Sequence, residues 1–421
     1  MKELLLHYIW QHKLYIANDL RTTEGELIEI LNVGKHNTDA GPDYFNAKIK
    51  IGETLWAGNV EIHTHSSDWI KHHHHTDKKY NSIILHVVDK VDVEIHRLDG
   101  AKIPQLELKY PEQIVLKYEK LLSEEKWVAC ESKIADVPSI FIQNWKNALL
   151  TERLEQKSSA IHTLLVDHQQ DWEEVFYICL ARNFGFGTNS QAFESLARTL
   201  PLSILGKHKD NLFQIEALLF GQSGLLTFGD GDEYASKLKK EYEFLASKYK
   251  LQAIDGTQWK KMRLRPDNFP HIRIAQFAAL IHSASKLFSK TVEQASIEQL
   301  RSAFACQPSE YWQAHYIFGK RSPIKNKSLG AQSINGILIN TVVPLLFCYA
   351  DIKEDETLKE KAVHLLDQIP GEQNNIITGW AKLGIDSATA FDSQALIQLK
   401  KMYCDERNCL RCRIGHKVLT S

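Results

Sequence analysis

The stretch from residue 36 to residue 88 constrains this chain most. It reads HNTDAGPDYFNAKIKIGETLWAGNVEIHTHSSDWIKHHHHTDKKYNSIILHVV. Successive side chains of a strand point to opposite faces, so residues i, i+2 and i+4 share one. A strand over residues 58 to 65 therefore puts Glu61, His63 and His65 on one face and Val60 and Ile62 on the other. A carboxylate beside two imidazoles belongs to metal-ligand or acid–base chemistry rather than to a core. Trp69 and Tyr80 flank the run His72, His73, His74 and His75 and are expected to anchor that loop by packing. His86 sits among Ile83, Ile84, Leu85 and Val87, where the ordinary reading is a hydrogen-bonded core histidine.

The surroundings of this stretch read as an α/β domain. Periodicity predicts a helix over 2–17 and strands over 27–33, 44–51 and 55–65, the last bulged at Gly58. A loop or short helix over 66–80 leads to 82–89, whose nearly continuous apolar run predicts a buried central strand. Edge strands are expected at 91–95 and 106–108. From residue 111 the pattern is almost wholly helical, with breaks at Pro266 and Pro270. The expected fold class is α+β or α/β: a mixed-sheet domain over 1–110, an all-α domain over 111–403, and a cysteine-rich tail over 404–421.

Composition narrows the function classes. Net charge is −1, which argues against a globally basic nucleic-acid binder and leaves room for a local basic groove. With 43% hydrophobic and 24% charged residues, the chain can bury large cores and stay soluble. No apolar run approaches membrane-spanning length, and charged residues interrupt the N-terminal segment, which excludes a signal peptide. A cytoplasmic protein with no membrane partner is expected. Four of the seven cysteines are scattered, unlike a disulfide framework.

The chemistry-bearing residues fall into four groups. Asp43, after Gly41-Pro42, and Glu61, two residues before His63, can supply oxygen ligands to Mg²⁺ or Mn²⁺. The arrangement G-P-D, a spacer, then E-x-H resembles the PD-(D/E)XK, or restriction-endonuclease-like, nuclease superfamily, and so does the expected order of elements. That resemblance implies a phosphodiesterase in which Asp43 and Glu61 hold the cation. His63 stands where the superfamily has lysine and would orient or deprotonate the water. Lys48 or Lys71 is a candidate for the missing cation, and Glu29 for an accessory upstream acid.

The second group is histidine-rich, His63, His65, His72 to His75 and His86, with Asp68 and Asp77 nearby; within it lies the set His63, His65 and His86. That set is similar to a cupin-type metal site and points to a small-molecule metalloenzyme. The third is Cys404, Cys409, Cys412 and His416, spaced C-x4-C-x2-C-x3-H, which suits structural Zn²⁺. Cys130 as a distant fourth ligand would point instead to an iron–sulfur cluster, which some nucleases of that superfamily carry. The fourth is RLRPDNFPHIR, where Arg263, Arg265 and Arg273 are phosphate-binding candidates; the alternative is that they pin their loop. Gly185-Phe186-Gly187 lacks the Walker lysine and is no phosphate loop.

The pieces HYIWQHKLY, NTDAGPDYFNAKIKIG, WAGNVEIH, SSDW, ILHVV, EALLFGQSGLL, RLRPDNFP, SQALIQLKKMYC and CLRCRIG resemble, from end to end, a bacterial, Bacteroidetes-type family whose domain has no known function. That resemblance brings no activity. The expected function is metal-dependent cleavage of nucleic acid. The competing readings are a non-catalytic helical scaffold or binding protein, and the histidine-site metalloenzyme.

Overall fold

The computed structural model describes residues 2–227, 232–284, 286–293 and 296–421. The expectations at residues 231, 285 and 294–295 lie outside the described residues. The chain divides into two compact units, residues 1–142 with 400–421, and residues 143–399. The boundary expected at residue 110 thus falls at 142, inside a helix, and the cysteine-rich tail belongs to the first unit.

The first unit opens with helix α1 (Lys2–Gln11), followed by strands β1 (Ile28–Asn32), β2 (Lys35–His36), β3 (Tyr44–Ile51) and β4 (Thr54–His65). A short helix α2 (Asp68–Lys71) leads to β5 (Ile83–Lys90) and β6 (Gln105–Glu107). The sheet order is β1-β3-β4-β5-β6, with β2 pairing β3. β3 is antiparallel to β1 and β4, whereas β4, β5 and β6 run parallel, so the sheet is mixed. The strand expected at 91–95 is absent among the described strands. Residue Ile95 instead accepts a backbone bond from Ile103, and β6 closes the edge.

β5 is buried along six of its residues, as its unbroken apolar run dictates. The irregularity expected at Gly58 lies in the partners of that glycine. The pairing shifts between Tyr44 and Ala47 of β3, and again where Asn59 and Val60 meet β5. Gly58 is what permits this, because a Cβ there would come within 2.3 Å of the Ile84 side chain and 2.8 Å of the Ser82 carbonyl. Trp69, Tyr80, Ile83, Ile95 and Ile103 form a buried cluster under the histidine-rich loop, so Trp69 and Tyr80 do anchor it. Each fully buried aliphatic side chain there contributes about 2 kcal/mol.

α3 (Glu112–Ser123) completes the first unit with the tail, and α4 (Ser139–Asp167) carries the chain into the second. That unit is largely helical, not all-α as expected, since His315–Ile317 pairs antiparallel with Lys320–Arg321, and it has side-chain caps at Asp171, Asn211, Asp232, Asp355, Asn374 and Thr389. Its helical segment Ala331–Ile352 is 22 residues and apolar enough to cross a membrane, contrary to the expectation that no run approaches that length. It is 72% buried inside the protein, as a core helix is.

Candidate metal centre on the sheet

Asp43 closes the Gly41-Pro42 turn just before β3. The Asn37 amide fixes the turn, donating to the carbonyls of Asp39 and Pro42. Tyr44 pairs with Val60, and this register sets Asp43 beside Glu61. The two acids clamp each other's strand. The Asp43 N–H donates to Glu61 Oε2 at 3.1 Å, and the Ile62 N–H donates to Asp43 Oδ2 at 2.8 Å. Glu61 is 3% exposed, whereas the Asp43 side chain keeps 26%.

Imidazoles surround the other side of Glu61. His74 Nε2 lies 3.2 Å and His63 Nε2 3.7 Å from Glu61 Oε1. His63 is pinned at both nitrogens, with Nδ1 2.8 Å from His86 Nε2 and Nε2 3.0 Å from His72 Nδ1. His74 stacks on Tyr80 at 3.8 Å. The turn that carries it bends through His73, whose φ is +62°. The donor atoms of His63, His72 and His74 all lie within 4.8 Å of one another.

Electrostatics sharpen the picture. Burial raises the pKa of both Asp43 and Glu61 above the carboxylate range, and the charges of Glu61 and Glu3 push Asp43 further. Burial, and then the neighbouring imidazoles, hold His63 and His86 far below the ordinary histidine value, His86 at about 3. The imidazoles are therefore neutral at physiological pH, the form that ligates metals. Each carboxylate accepts a backbone N–H from the other's strand, and a divalent cation bound to both would replace the protons they otherwise hold. The oxygens of Asp43 and Glu61 fit Mg²⁺ or Mn²⁺, and the imidazole nitrogens fit Zn²⁺, Mn²⁺ or iron.

Other expected site residues lie elsewhere. His65 ends β4 with a half-exposed side chain, 3.9 Å from Asp68. Glu29 is exposed on β1, paired with Lys50, seven residues along β3 from Asp43. Lys48 is on the exposed side of β3, and Lys71 binds Asp68 at 2.7 Å. The residues that sequence reading missed are Glu3 and His7, four apart on α1. Glu3 acts electrostatically on both acids, and His7 Nε2 lies 3.9 Å from Asp43 Oδ2. Their i, i+4 spacing was the available signal. His72 and His74 were visible only as part of a histidine run.

A cavity of about 650 Å³ opens against Asp43, lined among others by His7, His36, Asn37, Arg407 and Arg411. Arg411 is exposed, and its charge, after burial, lowers the pKa of His36. Arg407 is pinned to the carbonyls of Leu121 and Glu124. Of the arginines expected to grip phosphate, Arg273 is 8% exposed, bonded to Gln276, Asn268 and Ser333 and stacked on Phe186. It pins its loop. Arg263 and Arg265 are exposed in the helical unit. His416, expected to ligate with the tail cysteines, bonds the Tyr8 hydroxyl at 2.8 Å and packs on His12.

No curated protein and no solved structure matches the chain. One family profile matches residues 3–375, nearly the whole length, and the chain belongs to that family, described as protein of unknown function (DUF2851).

Proposed function

We propose that this protein is a metal-dependent phosphodiesterase that cleaves nucleic acid, with its cation held by Asp43 and Glu61. The observation that carries the reading is the reciprocal clamp between these two acids, with neutral imidazoles on the far side of Glu61. The order helix, antiparallel strands, short helix, parallel strand is similar to that of PD-(D/E)XK nucleases and supports it. So does the cavity beside Asp43, whose arginines suit an anionic substrate.

A cation bound there would supply a water of lowered pKa and positive charge for the phosphate. Asp43 and Glu61 fix its position. His63, with its basicity depressed by burial, orients the water and does not deprotonate it. Arg411 meets the substrate phosphate. The imidazole trio favours one other reading, a small-molecule metalloenzyme. A single open sheet, rather than a double-sheet barrel, weighs against a cupin-like site.

The test is cleavage of single-stranded DNA, duplex DNA and structured RNA in Mg²⁺ and Mn²⁺, comparing the native chain with Glu61→Ala. Cleavage that the variant loses supports the proposal and identifies the polymer. An inert native chain on all three substrates with both ions sinks it.

A further inference from the structure

The tail brings a second set of metal-binding groups together, apart from the carboxylate pair. Cys404 ends a wide helical turn, Leu399–Cys404. Cys409 opens a tight turn, Cys409–Arg411, in which the Cys412 N–H reaches back to the Cys409 carbonyl at 3.3 Å. The last helix, Arg413–Thr420, packs directly over this knuckle. Gly415 makes that possible, since a Cβ there would sit 2.1 Å from the Cys409 carbonyl oxygen.

The knuckle is stapled to the end of α3. Arg407, in the left-handed region at φ +52°, donates to the carbonyls of Leu121 and Glu124. The chain that leaves α3 then turns through Val128 and Cys130, held by the Glu131 and Lys133 N–H groups. Cys130 thereby enters the electrostatic field of Cys409 and Cys412, and Cys404 that of all three others. Cys130, Cys409 and Cys412 are each less than a tenth exposed, and no disulfide joins them.

We infer that Cys130, Cys404, Cys409 and Cys412 are the four sulfur ligands of a metal centre that ties the tail to the sheet unit. Four thiols gathered from segments some 270 residues apart in sequence are more than a hydrophobic core needs (404 less 130 is 274). Binding a metal ion releases the thiol protons as thiolates form. Two chemistries share this ligand set, a single zinc ion and an iron–sulfur cluster. Four sulfurs on zinc stand about 3.8 Å apart, given Zn–S bonds of about 2.3 Å. Among the described residues the donor group packed within 4.8 Å is the imidazole trio, so the sulfurs are set wider and zinc would have to draw them in.

The experiment is metal and acid-labile sulfide analysis of the full chain purified without oxygen, with visible absorption and X-ray absorption at the zinc and iron edges. The same measurements on Glu61→Ala remove the carboxylate centre from the count. The expected result is about one centre per chain with sulfur-only ligation. Zinc without sulfide identifies the ion, and iron with equimolar sulfide and absorption near ~400 nm identifies the cluster. Cys130→Ser should lose at least about tenfold in retained metal, and His416→Ala should lose none. The inference is overturned by a chain holding neither zinc nor iron in Glu61→Ala, or by full retention in Cys130→Ser. A nitrogen ligand that disappears with His416→Ala overturns it as well. If Cys130→Ser does not fold, the sulfur count in the otherwise native chain decides.

Discussion

Lys146 in the helical unit and Glu61 in the sheet unit are hidden to a similar degree, 6% and 3% exposed, yet their surroundings differ in kind. Lys146 meets its opposite charge, Asp392 at 2.9 Å, and the Asp386 carbonyl at 3.1 Å. Lys327, in the same unit, donates to the carbonyls of Trp312, Gln313 and His315. Glu61 instead faces a second carboxylate, a third one's field, and imidazoles too weakly basic to carry compensating charge. Burying a charge is costly unless it is paired. Lys146 and Lys327 are met by an opposite charge or by carbonyls of their own unit, whereas the two acids of the sheet unit are pushed toward holding protons, which an added cation would displace.

Breaking the unbalanced side should have the largest effect. Glu61→Gln is expected to lower cleavage by about 1000-fold, roughly 4 kcal/mol at the transition state, in an assay with Mn²⁺. The same variant should unfold at an equal or higher temperature in chelator, because it removes an ionisable group from beside a second buried carboxyl. A drop in both would mean that Glu61 is structural. Lys146→Met makes the mirror-image test. It leaves Asp392 without its cation and should cost about 3 kcal/mol in urea unfolding. A loss under ~1 kcal/mol would erase the contrast between the units.

The pH dependence of the helical unit provides a third comparison. Burial first, then the charge of Lys261, holds His271 at about 3 in the fold, against 6.5 for an ordinary histidine. Between those values the unfolded chain binds a proton that the folded one does not. Stability from this group is complete above about 6.5 and falls as the pH drops toward 3. The urea midpoint should therefore decline over that window in the native chain and decline less in His271→Gln; parallel curves would dismiss the histidine. The smallest effect is expected at the cavity rim. Arg411→Ala should raise KM about tenfold, roughly 1.4 kcal/mol, with kcat and melting temperature nearly unchanged. An unchanged KM would remove the cavity from the substrate path.

Much of the sheet unit was legible because strand chemistry is local. The alternation in VEIH put Glu61 and His63 on one face, and the unbroken run IILHVV marked β5 as buried between neighbours. The same rule failed at His65, since alternation gives a face but not where burial ends, and β4 emerges into solvent after His63. Glu29 was chosen by position in the chain, whereas Glu3, far from it in sequence, lies in the electrostatic field of both acids. Exposed His72 and half-buried His74 reach His63 and Glu61 from a loop under which Trp69 and Tyr80 are buried, a packing fact with no local signature.

The amino-acid sequence by itself determined the elements: which segments become strands, where helices begin at their capping residues, and which faces carry acid, imidazole or thiol. Those properties depend on residues a few positions apart, through alternation, helical period and local hydrogen bonds. The tertiary structure decided which groups meet. Asp43 faces Glu61 because an antiparallel register sets Tyr44 opposite Val60. His416 turns to Tyr8, and Cys130 joins the tail, because Arg407 fastens the knuckle to the end of α3. Such meetings join residues from 18 to 408 positions apart, and their energies depend on the packing of the whole unit and not on any window of its sequence.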